Sequence, residues 1–426
     1  SGLPNKEKAR IRQEFAQGLV GREALLKAES ESYHSAGTCT FYGTANSNQL
    51  VVEMMGLHLP GSSFVHPNSP LREALTRAAA KQITRLTDMG ERYMPIGHIV
   101  SANAIVNGLV ALLATGGSTN HTMHLVAIAR AAGYEINWDD FSDISKAVPL
   151  LAHIYPNGSA DINDFTAAGG MALLVKELLD AGLVHNDVNT IVGHGLEQYT
   201  KVPVLQGDEL IWADGPVQSG DIDVLATVAK PFKPDGGLSV LQGNLGRAVM
   251  KTSALRAPHC EITAPAAVFE DQFELAAAFK AGELDKDCIV VVRFQGPSAI
   301  GMPELHSLSP PLGVLQDKGF RVALVTDGRM SGASGKVPAA IHVTPEAYKG
   351  GMLARVHSGD MIELNTRTGV MNLLVDNDVL AQREATSFHN ANHQVGMGRE
   401  MFAAMRHNLT GAEQGACSLF ATRSQS

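Results

Sequence analysis

The hydrophobic period of this 426-residue chain changes once, and that change limits the folds open to it. As far as about residue 205, apolar residues recur at i, i+3 and i+4, most clearly over residues 70–86, 120–132 and 169–181, as in helices that bury one face. Further on the texture becomes short apolar runs. Cys288-Ile-Val-Val-Val-Arg-Phe and Arg321-Val-Ala-Leu-Val-Thr read as strands covered on both sides, and residues 360–375 read as a hairpin. Residues 106–113 fit either a strand or a buried helix, and the tail over 399–409 is helical again. Between about 200 and 237 the periodicity is lost and Pro203, Gly207, Gly215, Pro216, Gly220, Pro231, Pro234, Gly236 and Gly237 accumulate, which marks the best candidate for a linker.

Length and composition narrow the class. A chain this long exceeds one ordinary core and predicts two or three domains. High glycine (42 residues) with low aromatic content (5%) fits an α/β protein with many tight loops, and no apolar run is long enough to span a bilayer. A net charge of −9 argues against nucleic acid or an anionic membrane as the main partner. Four cysteines, Cys39, Cys260, Cys288 and Cys417, show no CxxC spacing, so neither a disulfide framework nor a zinc finger is indicated.

Several stretches carry possible chemistry. Cys39 lies in Gly-Thr-Cys-Thr-Phe-Tyr-Gly-Thr-Ala-Asn-Ser-Asn (residues 37–48), ahead of the apolar run Leu50-Val51-Val52-Glu53-Met54-Met55. A thiol at the mouth of a helix there would be favoured as the metal-binding thiolate; the alternative is a buried small hydrophobe. Thr115-Gly-Gly-Ser-Thr-Asn120 precedes an amphipathic segment and offers either an anion seat at a helix start or an ordinary capped turn. His121 and His124, three apart, read as packing or hydrogen-bonding residues. Residues 327–336 follow a predicted strand, where open α/β folds place ligands, but lack the P-loop spacing. There Arg329 and Lys336 supply charge, and Ser331 or Ser334 a hydroxyl that acts as a base only with a metal or cations beside it. Glu304, on a Gly/Pro loop, is a hard oxygen donor suited to Mg²⁺, and residues 243–251 form another glycine turn, with Arg247 and Lys251.

Taken in order, GTCTFYGTANSNQ, LPGSS, GGSTNHTMHL, GNLGRAVMKT, GMPELH and TDGRMSGASGKVP followed by IHVTPEA resemble the dehydratase family that contains dihydroxy-acid dehydratase and 6-phosphogluconate dehydratase. The resemblance runs essentially from end to end. Its finer texture is similar to the sugar-phosphate branch: GTCTFYGTANSN and GRMSGASGK stand where the amino-acid-pathway branch typically reads GACGGMFTANSM and GRFSGGT.

The resemblance implies a hydro-lyase acting on 6-phospho-D-gluconate in the Entner–Doudoroff route. A dihydroxy acid or an unphosphorylated sugar acid is the alternative substrate, and a cluster-less, non-catalytic paralogue the alternative class. It implies an iron–sulfur cluster (4Fe-4S, or else 2Fe-2S) held by three cysteines, of which Cys39 matches the last. Mg²⁺ would be held in part by Glu304, and Ser331 would take the C2 proton. Ser62, Ser63, Ser118, Thr119 and Asn120 become substrate-binding candidates, with Arg329 and Lys336 at the acid or phosphate group. The implied partner is a small phosphorylated sugar acid, with no nucleic acid and no membrane, and the implied state is a cytoplasmic homodimer. The family places two earlier cluster cysteines, an Asp and a Cys-Asp-Lys motif upstream of the segment where this chain begins, and Cys260, Cys288 and Cys417 read as structural. The expectation is thus part of a longer enzyme, with cluster and Mg²⁺ absent and activity lacking in this part alone. The expected architecture is α/β: a helix-rich α/β domain over 1–225, incomplete at its start, then a β-rich, barrel-like domain with flanking helices over 226–426, the site between them.

Overall fold

The computed structural model describes residues 2–33, 39–330, 335–388, 395, 396 and 398–419. Among them the first part is built of helices α1 (Asn5–Ala16), α2 (Arg22–Glu31), α3 (Thr44–Met54), α4 (Pro70–Leu86), α5 (Ile96–Ile99), α6 (Ala102–Ala114), α7 (His121–Ala131), α8 (Trp138–Ala147), α9 (Ile162–Ala167) and α10 (Gly170–Asp180). Local chemistry sets several of their starts. Ser69 accepts from Arg72 N ahead of Pro70, and Asn137 with Asp140 and Asp161 with Asp164 form capping boxes at α8 and α9.

The ambiguous run 106–113 is the body of α6. It is buried almost all round, which erases the polar face that would have marked it as helix. Gly108 lets α3 close on it, since a Cβ there would meet Met55 and Val51 at 3.0–3.3 Å. Leu50, Met54, Val110, Leu113, Leu151, Phe165 and Leu174 form the core of this part. Strand is confined to two short pairs, β1 (Asn189–Thr190) with β2 (Gly193–His194) and β3 (Lys201–Gln206) with β4 (Glu209–Asp214). The proline- and glycine-rich stretch is therefore not a free linker. Pro203 sits within β3, and Leu225 is fully buried in the helical core. Not every apolar side chain of α1 and α2 is internal: Phe15 and Leu26 are exposed.

Strands β5 (Leu238–Gly243), β6 (Gly246–Lys251), β7 (Glu261–Phe269), β8 (Cys288–Val292), β9 (Val322–Thr326), β10 (Ala339–Thr344), β11 (Met361–Asn365) and β12 (Val370–Leu373) close into a barrel in the order β10-β6-β5-β12-β11-β7-β8-β9. β7, β8, β9 and β10 run parallel, and the crossovers that parallel pairing requires carry α11 (Gln272–Lys280) and α12 (Ser309–Asp317). β11 and β12 form the anticipated antiparallel hairpin.

The apolar runs of β8 and β9 are explained by two-sided burial. Ile289, Val291, Ala323 and Val325 belong to the cluster to which every barrel strand contributes. Cys288, Val290, Val292, Val322 and Leu324 pack outward with Leu275 of α11 and Leu312 of α12. Each of the Ile, Val and Leu side chains among them contributes about 1.5–3 kcal/mol by leaving water. Helices α13 (Asn377–Gln382) and α14 (Ala403–His407) follow the barrel. No helix among the described residues is long and apolar enough to cross a membrane.

Candidate active site

Cys39 precedes α3, whose N-cap is Gly43. Asn46 fixes this approach by donating from Nδ2 to the carbonyls of Cys39 and Phe41, both at 2.8 Å. A Cβ at Gly43 would meet the Phe41 ring at 2.6 Å, so a larger residue there would displace that ring. The thiol is exposed and, among the described residues, its one hydrogen bond runs to Phe41 O at 3.7 Å; it does not cap the helix at whose mouth its sequence position put it.

The start of α3 meets the turn between α6 and α7. Thr44 Oγ1 lies 2.8 Å from Ser118 Oγ and accepts from Asn120 Nδ2 at 3.0 Å. Ser47 Oγ donates to Gly43 O and accepts from Ser118 N, so His121 Nε2, 3.0 Å away, must carry a proton and donate to it. Two neighbouring atoms in this buried group, Thr119 Oγ1 and Asn120 Oδ1, have no partner among the described residues, which costs about 1–3 kcal/mol each unless water or a ligand answers them.

The turn is clamped from the barrel. Lys251 of β6 donates from Nζ to Gly116 O at 2.5 Å, and Asn157 Nδ2 reaches the same carbonyl at 2.9 Å while Asn157 Oδ1 accepts from Ser253 Oγ. Burial without a counter-charge pulls the Lys251 ammonium down to about 7. Gly116 has φ +58°, and a Cβ there would lie 2.2 Å from Asn157.

The second half of the candidate set lies on loops beyond the parallel strands. Arg329 donates from Nη1 to Glu304 Oε2 at 2.8 Å and from Nε to Met302 O at 2.7 Å, so these two predicted residues meet each other. Buried Asp327, at the end of β9, accepts from Phe294 N (3.2 Å), Gln295 N (2.8 Å) and Ala347 N (2.9 Å) and ties three loops together. Burial pushes its carboxyl up to about 7, with the charge of Glu346 adding to the rise and the three N–H groups opposing it.

Other predicted residues fall elsewhere. Ser63 serves the buried carboxylate of Glu53, donating from Oγ at 2.5 Å and from N at 2.9 Å, and Ser62 offers its carbonyl to Arg72. Both thus gather around Glu53 and Arg72 rather than around Ser118. Lys336 is paired with Asp317 and lines a cavity with Arg12, Arg256 and His306. Ser331 and Ser334 lie outside the described residues.

His342 is the residue that sequence reasoning missed. It is fully buried in β10, has φ +60°, a conformation that costs about 1–3 kcal/mol outside glycine, and packs 6.4 Å from Trp138. The pairing of β10 with β6 steps from Ile341↔Val249 to Thr344↔Arg247, a bulge of one residue. Ala340 and Val343 both join the barrel-interior cluster while Ile341 packs outside. The bulge thereby breaks the alternation at His342 and brings its Nδ1 to 3.3 Å from Thr122 Oγ1 of α7. Burial, His124 and Arg329 lower its pKa to about 3, so the ring is neutral, and its Nε2 has no partner among the described residues. A histidine in an IHV run gives no sign of this in sequence.

For an iron–sulfur cluster or Mg²⁺ the donor chemistry present is partial. Cys39 is an available thiol and Glu304 a carboxylate shared with Arg329, but among the described residues no three His, Cys, Asp or Glu side chains stand together. Cys288 is buried, with its thiol pushed up to about 11. The described residues complete neither centre.

A helical part seated on a mixed eight-stranded barrel, with glycine turns, a loop thiol and a loop carboxylate near the seam, defines the class. The chain belongs to the dihydroxy-acid/6-phosphogluconate dehydratase family: residues 3–199 match the family's N-terminal domain and residues 223–416 its C-terminal domain. It is 63% identical to the phosphogluconate dehydratase of Escherichia coli K12 over 98% of this chain and 69% of that protein. It is 58% identical to the phosphogluconate dehydratase of Pseudomonas aeruginosa, with the same coverage. The dihydroxy-acid dehydratase of Caldanaerobacter subterraneus is 33% identical over 86% of this chain and 63% of that protein.

Proposed function

We propose that the chain carries the dehydration of 6-phospho-D-gluconate to 2-dehydro-3-deoxy-6-phospho-D-gluconate in the Entner–Doudoroff route. The C2–H and C3–O bonds break, water leaves, and the resulting enol becomes the 2-keto acid. The observation that carries this reading is the 63% identity to a phosphogluconate dehydratase over 98% of the chain. In it Ser331 takes the C2 proton, and Ser118, Thr119 and Asn120, held by Thr44, Lys251 and Asn157, face the substrate. Arg329 orients Glu304, and Lys336 meets the phosphate end. Ser62 and Ser63 shape the site only at a distance, through Glu53 and α3.

An iron–sulfur cluster, 4Fe-4S or 2Fe-2S, and Mg²⁺ belong to the same reading, with Cys39 offering one thiolate and Glu304 one carboxylate; such Lewis acids would ease departure of the C3 hydroxyl and acidify C2. The seam between residues 1–225 and 226–426, taken as two domains, is where these groups meet. A cytoplasmic homodimer completes the reading on family likeness alone.

The test uses full-length protein, iron-replete and purified anaerobically, assayed for keto acid from 6-phosphogluconate. Formation of the keto acid, with iron and sulfide lost in Cys39→Ser, is expected. No keto acid, or an unchanged iron content in that variant, overturns the assignment of substrate or of Cys39 respectively.

A further inference from the structure

A cavity of about 480 Å³ opens between α1, the Tyr155–Pro156 turn, Arg256, the first turns of α12 and Lys336. That size suits a small ligand. Its charge is opposite to that of the chain as a whole: Lys6, Arg10, Arg12, Arg256 and Lys336 line it, against the carboxylate of Glu7, in a protein of net charge −9. Arg10 is engaged with Glu7 and Glu14, Arg12 with Glu29, and Lys336 with Asp317. Arg256 makes no ion pair among the described residues, so its charge is free for a ligand.

His306, also in the lining, adds a donor. Arg12 Nη1 lies 2.6 Å from His306 Nε2. A guanidinium only donates, so Nε2 must be the acceptor and the proton of the neutral ring must sit on Nδ1. That Nδ1–H is buried and has no acceptor among the described residues. Buried donors are rarely left so, and an oxyanion would satisfy it. The cavity also adjoins the loop of Cys39: the Phe41 ring packs against Tyr155 at 5.5 Å and against His306 at 6.4 Å.

We propose that this cavity seats the phosphate group of the substrate, with Arg256 and Lys336 as its charges and His306 Nδ1–H as its oriented donor. The inference rests on the dehydratase reading and assigns its specificity for a phosphorylated over an unphosphorylated sugar acid. Arg329, the other cation expected at an anionic group, is not among the residues lining this cavity and is left to the carboxylate end, beside Glu304.

Two measurements on the full-length protein test it. In the first, calorimetric titration with inorganic phosphate should show binding to wild type that weakens about tenfold or more in Arg256→Ala and in Lys336→Ala, with partial recovery in Arg256→Lys, as expected for loss of a charge-assisted contact. Absence of phosphate binding by wild type, or equal binding by the alanine variants, overturns the proposal whether or not the enzyme dehydrates phosphogluconate. In the second, the ratio of kcat/KM for 6-phosphogluconate to that for gluconate should fall about tenfold or more in Arg256→Ala, the loss falling on KM. An unchanged ratio refutes the assignment even if both activities decline.

Discussion

Asp327 offers a direct test of how the barrel loops are held. Its carboxylate is the common acceptor for Phe294 N, Gln295 N and Ala347 N, and it is fully buried. Asp327→Ala removes the acceptor of all three N–H groups at once. Each abandoned N–H costs about 1–3 kcal/mol, and since the three share one site the sum is less than additive, giving about 4 kcal/mol, a large share of a typical domain stability of about 5–15 kcal/mol. Asp327→Asn keeps one oxygen but turns an NH₂ towards donors, for about 2 kcal/mol. The charge state adds a pH signature. The folded pKa is raised to about 7, so between the unfolded value and about 7 the native state holds a proton that the unfolded chain has lost. The contribution of Asp327 is therefore complete at acid pH and is lost as pH rises towards about 7. Asparagine does not titrate, so the advantage of wild type over Asp327→Asn should shrink by up to about 2.7 kcal/mol from pH 5 to pH 7, at about 1.36 kcal/mol per unit. Urea unfolding followed by the fluorescence of Trp138 and Trp212 at pH 5, 6, 7 and 8 measures both effects. An Asp327→Ala protein within 1 kcal/mol of wild type, or an Asp327→Asn difference that grows with pH, would refute the reasoning.

Two further outcomes follow from buried polar groups. Lys251 has its folded pKa lowered to about 7, so above that pH the unfolded chain binds the extra proton and wild-type stability should rise relative to Lys251→Met between pH 7 and 10, by up to about 1.4 kcal/mol per unit; parallel stability curves would count against it. At His342, whose φ is +60°, Asn tolerates the backbone and retains a δ-position donor to Thr122, whereas Val does neither; thermal unfolding should place His342→Val about 2 kcal/mol below His342→Asn, and equal midpoints would contradict the strain assigned there.

Much of the fold was legible because periodicity reports burial directly. Residues 70–86 appear with those bounds as α4, and the two apolar runs contain β8 and β9. The reading failed where one pattern serves two structures. The run in α6 is apolar on every side, and the glycine- and proline-rich stretch looked like a linker although Leu225 anchors it in the helical core. At the site, GGSTN was visible as an exposed-amide turn, but its clamp, Lys251, sits in an ordinary strand 135 residues away in sequence. Glu304 and Arg329 were each singled out, yet nothing in the order of residues says that they neutralise one another.

The sequence by itself determined the family, the alternation of helix and strand, and the candidate thiol at Cys39, because these are encoded in local residue order. Only the tertiary structure decided that eight strands close into one barrel, that a bulge re-aims His342 towards α7, and that basic residues from α1, Arg256 and Lys336 face one cavity. Those outcomes depend on which backbone segments approach one another through space. A side chain's neighbours across a seam, and hence its charge state and its unanswered hydrogen bonds, exist only once that approach has been made.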